Sequence, residues 1–276
     1  MKRLTDDYFV TGHPIGHSLS PVIQSAFFEG AGIGETYGIT DIAPENFAEE
    51  LNCFRNNKKG FNVTIPHKIA AFNAVDFKDE YTEKVGAVNT VKVENGKLYG
   101  YNTDGIGFIK ALEKKGVTVK NKKVCILGAG GAVNSIAVKM HLCGAKEIVI
   151  LARRIEQAES LCQNHGFGKA DALDNLNKYD YDILVNATPV GMHPNEGASP
   201  VPDFKNCEFV YDLIYNPSKT EFLKMAEQKG IKYDNGLWML VLQAAASFEI
   251  WTGVYPSDET LDKAYKNAQK ALEERR

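Results

Sequence analysis

The sequence lacks the features that mark a secreted, disulfide-rich or membrane-spanning protein. Its 276 residues contain only five cysteines, which are scattered and form no C-x-x-C pair, so neither a disulfide framework nor a zinc ribbon is expected. The most apolar stretch, residues 237–246, is far shorter than the roughly 20 residues of a membrane span. The N-terminal segment reaches Asp6 and Asp7 before any apolar run develops, unlike a signal peptide. These absences predict a soluble, cytoplasmic protein with reduced and mostly buried thiols.

The sequence also has no large excess of positive or negative charge. Lysine and arginine number 32 against 35 aspartates and glutamates, and the formal net charge is -3. This balance excludes the disordered and polybasic classes, and with them nucleic-acid binding driven by charge. We therefore expect no nucleic-acid partner, and the short apolar stretch at residues 237–246 argues against a membrane partner. No long exposed apolar stripe marks an interface, so a monomer and a homodimer both remain open.

Patterns of strand and helix alternate along the chain, which is typical of α/β proteins with parallel sheets. The length suffices for two domains of about 100 to 150 residues each. The last two helical segments follow no further pair of strands, so they must pack on a domain that is already formed. We predict one domain from residues 1–104 and 237–276, and an inserted domain from residues 105–236.

Local signals locate several turns and core residues. Ser20 followed by Pro21 predicts a helix cap with proline in the first turn. Asn95-Gly96 between two β-type runs predicts a hairpin. Four phenylalanines at helix-like spacings are expected in the core, namely Phe27, Phe28, Phe47 and Phe54.

A glycine-rich turn follows the buried-type strand at residues 122–127 and precedes an apolar helix. Such a turn lets a dinucleotide pyrophosphate approach backbone N–H groups at the positive end of the helix dipole. Gly128 would make the tight turn and Gly130 would allow the close approach, although Val133 stands at the third small position of G-x-G-x-x-G. We therefore predict a doubly wound, Rossmann-like domain that binds a dinucleotide. The alternative is a tight turn without a ligand.

The end of the next strand indicates which dinucleotide is bound. Domains that bind NAD place an acidic residue there for the ribose 2′-hydroxyl, whereas this chain has Arg153 and Arg154, with no acid before Glu156. Two guanidinium groups suit a 2′-phosphate, which predicts NADP. The alternative is that both arginines are simply solvated.

Three polar clusters in the first hundred residues are hard to explain by packing. Each places hydroxyls, amides or charges at the end of an expected strand, where open α/β sheets hold ligands. Together they are expected to line one crevice with hydroxyl-binding groups and one Lys/Asp pair. The clusters are residues 12–21, residues 62–68, and residues 86–90 with residues 102–105.

These motifs and their order resemble the shikimate dehydrogenase family over essentially the whole chain. The motifs that carry the resemblance are Ser18-Leu19-Ser20-Pro21, Asn62-Val63-Thr64-Ile65-Pro66-His67-Lys68, Gly86-Ala87-Val88-Asn89-Thr90, Asn102-Thr103-Asp104-Gly105, Gly128-Ala129-Gly130-Gly131-Ala132, Asn186-Ala187-Thr188-Pro189, Gly236-Leu237 and Gln243-Ala244-Ala245. The resemblance implies an oxidoreductase that reduces 3-dehydroshikimate to shikimate with NADPH, in chorismate and aromatic amino-acid biosynthesis. It also implies an α/β substrate domain, completed by the C-terminal helices, with a Rossmann-like NADP domain inserted.

The same resemblance implies roles for single residues. Lys68 and Asp104 are implied as the catalytic pair, with Lys68 giving the proton in reduction and Asp104 orienting it. Ser18 and Ser20 are implied to bind the substrate carboxylate. The other implied substrate-binding residues are Thr64, Asn89, Asp104, Tyr215 and Gln243. The implied cofactor-binding residues are Gly128, Ala129, Gly130, Gly131, Ala132, Arg153, Arg154, Thr188, Leu213 and Gly236.

Four positions depart from the family pattern. Gln24-Ser25 stands where the family often has His-Asn, Ala152 replaces a polar residue, and Arg154 replaces the usual threonine. The last two changes remove one adenosine-ribose contact and add a guanidinium group, so the preference for NADP is expected to remain.

Histidines are not expected to bind a metal ion. His13 and His17 are four residues apart, but Pro14 and Gly16 oppose a helix between them and no acidic ligand stands near. His67 precedes the implied catalytic lysine and is expected to pack or to cap a helix.

Two other functions remain as alternatives. One is a quinate/shikimate dehydrogenase that uses NAD, which the paired serines Ser18 and Ser20 and the two arginines oppose. The other is a non-catalytic regulator that senses NADP. A regulator predicts loss of the Lys/Asp pair, whereas Lys68 and Asp104 are both present.

Overall fold

The structure, a computed structural model, describes residues 6–275. Residues 1–5, on which part of the signal-peptide argument rests, and Arg276, the last residue of the final expected helix, lie outside the described part. The chain divides into two compact units, one of residues 1–107 and 241–276 and the other of residues 108–240. The domain limits expected from the sequence fall a few residues before these divisions.

The helices and strands alternate in chain order. They are β1 (Tyr8–Gly12), α1 (Ser20–Gly30), β2 (Tyr37–Asp41), α2 (Phe47–Asn57), β3 (Gly60–Val63), α3 (Lys68–Ala74), β4 (Phe77–Lys78), α4 (Glu80–Val85), β5 (Thr90–Glu94), β6 (Lys97–Tyr101), α5 (Asp104–Lys114), β7 (Lys123–Leu127), α6 (Gly131–Leu142), β8 (Glu147–Ala152), α7 (Ile155–His165), β9 (Lys169–Ala172), β10 (Ile183–Asn186), β11 (Phe209–Asp212), α8 (Glu221–Gln228), β12 (Lys232–Asp234), α9 (Leu237–Thr252) and α10 (Asp258–Glu273). Two 3-10 turns, Pro44–Asn46 and Leu173–Lys178, precede α2 and β10.

The described residues of the first unit form a six-stranded mixed sheet in the order β2-β1-β3-β5-β6-β4. Strand β1 runs parallel to β2 and β3, whereas β5 is antiparallel to both β3 and β6. The β5–β6 hairpin turns at Asn95 and Gly96, both with positive φ, as the Asn-Gly signal predicts. This hairpin makes the sheet mixed, so the expectation of parallel sheets is wrong for this unit.

Aromatic side chains fill the core on both faces of this sheet. On one face Phe9 packs against Phe54 and Phe61, with ring centroids 4.7 and 5.2 Å apart. On the other face Phe28 packs against Phe248 of α9. The four phenylalanines expected in the core are buried, with at most 2% of each exposed.

The C-terminal helices pack on this first unit, as the sequence predicts. Trp251 of α9 donates from Nε1 to the carbonyl of Val91 in β5, at 2.9 Å. Helix α10 packs against α1, where Lys263 lies 2.9 Å from Glu29.

The second unit contains a six-stranded parallel sheet within the described residues, in the order β12-β11-β10-β7-β8-β9. Numbered within the unit and read from β9, this order is 3-2-1-4-5-6, the arrangement of doubly wound dinucleotide-binding domains. The order reverses between β7 and β10, so their carboxyl ends form the crevice where such sheets hold ligands. The predicted Rossmann-like fold is confirmed.

Two local expectations are corrected, and several elements had not been predicted. Ser20 is not the helix cap: Leu19 occupies the cap position, and Ser20 begins α1 with its N–H donating to Ser18 Oγ at 3.2 Å. The elements β4, α4, α7, β9, α8 and β12 were not predicted, whereas α3 begins directly after His67, which was expected to pack or to cap a helix. The thiols are not mostly buried: Cys125 is buried and Cys53 is exposed, while the other three are half-buried.

No helix within residues 6–275 has both the length and the apolar character needed to cross a membrane.

A buried carboxylate, Asp212, organises the carboxyl edge of the second sheet. Its Oδ1 accepts from Asn186 Nδ2 and from the N–H of Ile214, both at 3.0 Å, and its Oδ2 accepts from Thr220 Oγ1 at 2.6 Å. Burial raises the pKa of the Asp212 carboxyl to about 6, although these hydrogen bonds act to lower it.

This raised pKa predicts how Asp212 affects stability. Between about pH 4 and pH 6 the native state holds a proton that the unfolded state has lost, so raising the pH across this range destabilises the native state by up to about 3 kcal/mol. Asp212→Asn removes the titration. We therefore expect the free energy of unfolding of the variant, relative to wild type, to rise from pH 4 to pH 6 and to stay level above.

Urea unfolding of both proteins at several pH values measures this difference. Asp203→Asn is the matched control, because the Asp203 carboxyl is largely exposed and Lys229 lowers its pKa by a hydrogen bond. The free energy of unfolding of Asp203→Asn, relative to wild type, should fall slightly as the pH rises, which is the opposite of the change expected for Asp212→Asn. A difference between Asp212→Asn and wild type that does not vary with pH contradicts the assignment.

Candidate active site

An ion pair between Lys68 and Asp104 lies at the centre of the candidate site. Lys68 is the first residue of α3 and Asp104 the first residue of α5. Lys68 Nζ donates to Asp104 Oδ2 at 2.6 Å. The two side chains are 27% and 13% exposed, so the pair is largely buried but open to a ligand.

Asn89 fixes the other oxygen of this carboxylate. Asn89 Nδ2 donates to Asp104 Oδ1 at 2.8 Å, so both carboxylate oxygens are held. The orientation of the Asn89 amide is set in turn by the N–H of Thr103, which donates to Asn89 Oδ1 at 2.8 Å. The backbone N–H of Asp104 donates to Asn102 Oδ1 at 3.1 Å. The Asp104 carboxylate therefore has little rotational freedom, and it directs the Lys68 ammonium group.

Gln243 joins the site from α9, and Thr64 lies just after β3, four residues before Lys68. Thr103 Oγ1 donates to Gln243 Oε1 at 3.3 Å, which brings α9 to the Lys68–Asp104 pair. Thr64 follows β3 and is half-buried, and its N–H donates to the carbonyl of Thr11 at 2.8 Å. A Cβ built on Gly12 would meet Thr64 Cγ2 at 2.6 Å, so glycine is needed where the loop passes Thr64.

The loop that carries Ser18 and Ser20 is held at several points. The N–H of Ser18 donates to the carbonyl of Ile15 at 2.9 Å, and Arg275 Nη1 donates to the carbonyl of His17 at 2.6 Å. Ser20 is buried, and its side chain interacts with Tyr37, which acts to lower the pKa of the Tyr37 hydroxyl. Burial raises the pKa of Tyr37 well above its usual range, so this hydroxyl stays neutral.

The structure thus brings several implied substrate residues of the first unit into one hydrogen-bonded group. The other implied substrate residues lie on other segments of the first unit or in the second unit. Tyr215 belongs to the second unit, on the segment after β11, and its assignment to the substrate stays a prediction. The directly bonded group contains Lys68, Asn89, Asp104 and Gln243 with Thr103.

Two residues bonded to this network, Tyr37 and Ser247, were missed from the sequence, whereas Thr90 and Thr103 lie in the expected polar clusters but were given no role of their own. All four are buried polar side chains with hydrogen bonds to the group or to Asn62. A polar residue within an otherwise apolar strand or helix was the available signal, but single hydroxyls of this kind are common in helices and strands.

The histidines take packing and loop-holding positions. The His67 ring stacks on Phe47 with centroids 4.2 Å apart, and its Nε2 lies 2.7 Å from the carbonyl of Ile42, so the expectation of packing is confirmed. His13 Nδ1 lies 2.6 Å from Asp41 Oδ1, and this hydrogen bond lowers the pKa of the Asp41 carboxyl. In the described part of the chain, no group of three or more His, Cys, Asp or Glu residues is arranged to hold a metal ion.

The glycine turn of the second unit fits a dinucleotide pyrophosphate. Gly128 has φ of +106°, and a Cβ there would meet the carbonyl oxygen of Ala187 at 3.0 Å, so glycine is required. Gly130 is the cap of α6 and Gly131 its first residue. A Cβ built on either would have no atom within 4 Å, so open space lies against the N-terminus of this helix. A phosphate group can approach the backbone N–H groups there.

The remaining implied cofactor residues follow the ends of neighbouring strands. Thr188 follows β10, and its Cγ2 would lie 3.1 Å from a Cβ on Gly128. Leu213 follows β11, and its carbonyl would clash with any Cβ on Gly236. Arg153 and Arg154 follow β8 and are exposed, so both guanidinium groups can reach an anionic ligand.

Three family models match successive parts of the chain. The model described as "Shikimate dehydrogenase substrate binding domain" matches residues 10–91, "Shikimate / quinate 5-dehydrogenase" matches residues 110–193, and "Shikimate 5'-dehydrogenase C-terminal domain" matches residues 236–264.

Known proteins are similar over nearly the full length. The shikimate dehydrogenase (NADP(+)) of Caldanaerobacter subterraneus subsp. tengcongensis is 44% identical over 260 residues, which cover 91% of this chain and 93% of that protein. The crystal structure of shikimate 5-dehydrogenase from Thermus thermophilus with NADP(H) and shikimate is 34% identical, with a TM-score of 0.88, covering 96% of this chain and 98% of that one. Shikimate 5-dehydrogenase from Listeria monocytogenes, in complex with shikimate and NAD, is 33% identical with a TM-score of 0.88, covering 95% and 98%.

The three models together span both units, and the relatives align along almost the whole chain at more than 30% identity. The chain belongs to the shikimate dehydrogenase family.

Proposed function

We propose that the protein catalyses the reversible, NADP-dependent reduction of 3-dehydroshikimate to shikimate, a step of chorismate and aromatic amino-acid biosynthesis. The observation that carries this proposal is the Lys68–Asp104 pair, 2.6 Å apart and held by Asn89. This pair lies in the unit that contains the match to a shikimate dehydrogenase substrate-binding domain. A regulator that only senses NADP has no use for such a pair.

Lys68 is the proposed acid and base. Reduction of a ring ketone leaves an alkoxide that needs a proton, and NADPH supplies the hydride. Lys68 Nζ gives this proton in reduction and accepts it in oxidation. Asp104 directs Nζ through its Oδ2 and is itself held through Oδ1, so the proton donor keeps one position during turnover.

The carboxylate of the substrate is assigned to the loop before α1. Ser20 begins this 11-residue helix, whose first turn contains no acidic residue, so its positive dipole end favours an anion. Ser18 and Ser20 supply hydroxyl donors there. The ring hydroxyls are assigned to Thr64, Asn89, Asp104 and Gln243, together with Tyr215.

The glycine turn and the two arginines support NADP as the cofactor. The pyrophosphate is assigned to residues 128–132 at the start of α6, where open space adjoins Gly130 and Gly131. The 2′-phosphate is assigned to Arg153 and Arg154, because permanently charged guanidinium groups bind phosphate with paired donors. Thr188, Leu213 and Gly236 complete the assigned cofactor site.

The cytoplasmic localisation and the choice between monomer and homodimer stay predictions. Sedimentation of the purified protein at several concentrations decides the second.

The direct test is an initial-rate assay with shikimate or quinate as substrate, each with NADP+ or NAD+. We expect the fastest appearance of reduced cofactor with shikimate and NADP+. Faster reaction with quinate or NAD+ supports the quinate/shikimate alternative instead. Absence of reduced cofactor in all four mixtures overturns the enzyme assignment.

Lys68→Ala tests the acid–base role. We expect kcat to fall by roughly two to four orders of magnitude with little change in KM, because proton transfer is lost while the binding groups remain. Lys84→Ala is the control, since Lys84 forms a lysine–carboxylate pair with Glu80 on the surface of the same unit. A near-normal kcat for Lys68→Ala removes Lys68 from this role.

Arg153→Ala tests the 2′-phosphate assignment. We expect KM for NADP+ to rise by roughly ten-fold or more and KM for NAD+ to change little, because only NADP+ carries the phosphate. Lys169→Ala removes an exposed cation from the amino end of β9, at the opposite edge of the same sheet, and should alter neither value. Equal increases for both cofactors refute the assignment.

A further inference from the structure

A buried hydroxyl on α9, Ser247, lies at a branch point beneath the candidate site. Its side chain is fully buried in a helix whose neighbouring residues are mostly apolar. Its Oγ lies within hydrogen-bond distance of groups from four other residues. These are Thr90 Oγ1 at 2.7 Å, Asn62 Nδ2 at 3.1 Å, Thr103 Oγ1 at 3.2 Å and the carbonyl of Gln243 at 3.0 Å.

One branch from Ser247 leads to the catalytic pair. Thr103 Oγ1 accepts from Asn89 Nδ2 at 2.9 Å, and the same amide nitrogen donates to Asp104 Oδ1 at 2.8 Å. Asp104 accepts from Lys68 through its other oxygen. The position of the Thr103 hydroxyl therefore bears on the orientation of the Asn89 amide and of the Asp104 carboxylate.

The other branch leads to the serine assigned to the substrate carboxylate. Asn62 Oδ1 accepts from the Tyr37 hydroxyl at 2.6 Å, and the side chain of Tyr37 interacts with that of Ser20. Ser20 and Asp104 thus lie at the two ends of a chain of interacting side chains, in which Asn62 bonds to Thr90 and to the Asn89 carbonyl directly as well as to Ser247.

The Ser247 hydroxyl acts in this network both as a donor and as an acceptor. A serine hydroxyl has one hydrogen and two lone pairs. Ser247 donates its hydrogen to the Gln243 carbonyl, so its lone pairs are left to accept from Asn62 and from one of the two threonines. Removing this oxygen takes one acceptor from Asn62 and one from Thr90. Asn62 Nδ2 then keeps the Asn89 carbonyl and Thr90 Oγ1, and Thr90 Oγ1 keeps Asn89 Oδ1, so both side chains shift toward Asn89.

We propose that Ser247 is a positioning residue for substrate binding, which holds the carboxylate-binding end of the site at a fixed separation from the Lys68–Asp104 end. This inference rests on the proposed function. A substrate with a carboxylate and ring hydroxyls on one rigid ring bonds to both ends only if their separation matches the ring. Ser247 itself acts through Asn62, Thr90 and Thr103.

Ser247→Ala tests this role in the full chain. We expect KM for shikimate to rise by about ten-fold, the effect of one or two hydrogen bonds, while KM for NADP+ changes by less than about two-fold. A residue that only stabilises the fold would move both values together or neither. An unchanged KM for shikimate in a folded variant overturns the proposal.

Thr252→Ala is the matched control on the same helix. Thr252 Oγ1 donates to the carbonyl of Phe248 four residues before it, as Ser247 does to Gln243, but it lies outside the network. The control should keep both KM values. An equal rise of KM for shikimate in this variant assigns the effect to the lost helix contact and overturns the proposal.

Ser247→Cys separates lost hydrogen bonds from lost volume. Sulfur fills the space but forms weak hydrogen bonds, so we expect most of the increase in KM for shikimate to persist. A wild-type KM in this variant attributes the alanine effect to a cavity and overturns the proposal. If wild type itself does not oxidise shikimate, the proposed function fails; if wild type is active and both Ser247 variants match it, only the positioning role fails.

Discussion

The carboxylate of Asp104 is the constraint on which the candidate site depends. One oxygen accepts from Lys68 and the other from Asn89, so the carboxylate is fixed from two directions. A lysine side chain has four rotatable bonds and does not hold one position without such a partner. The pair also satisfies two partly buried charges, which would otherwise be costly to keep away from water. The contacts of Asp104 with Lys68 and Asn89 therefore do two things. They fix the geometry of the site, and they make the partly buried charges tolerable in the fold.

Some of this arrangement follows from local sequence signals, because backbone conformation limits the residues that fit. The Asn95-Gly96 turn and the Gly128 turn need positive φ at one or both of their residues, which few residues adopt, so these two turns can be recognised in the sequence. Short elements such as α3 and β4 cannot be recognised by periodicity, because a segment of two to seven residues shows no hydrophobic pattern that distinguishes it from a loop. The role of Lys68 was assigned from its motif and from the polar clusters around it, and the only signal for the helix that it begins was the position of His67 as a possible cap.

The contacts that Ser247 makes with distant segments had no sequence signal. Ser247 lies 157 residues from Thr90 and 185 residues from Asn62, and no local pattern connects them. The same holds for Asp212 of the second unit, which joins the segments after β10 and β11 to the start of α8. In each unit a buried polar side chain, Ser247 or Asp212, holds segments whose conformation cannot be predicted from local propensity. Such residues look like ordinary core positions until their partners are placed.

The distribution of the cysteines has a practical consequence for labelling. Burial raises the pKa of Cys125, Cys143, Cys162 and Cys207, so each stays a poorly nucleophilic thiol near neutral pH. Cys53 on α2 is the exposed one. A maleimide fluorophore at limiting concentration should therefore attach first to the first unit at Cys53. The natural sequence offers a single preferred conjugation point without any cysteine having to be removed.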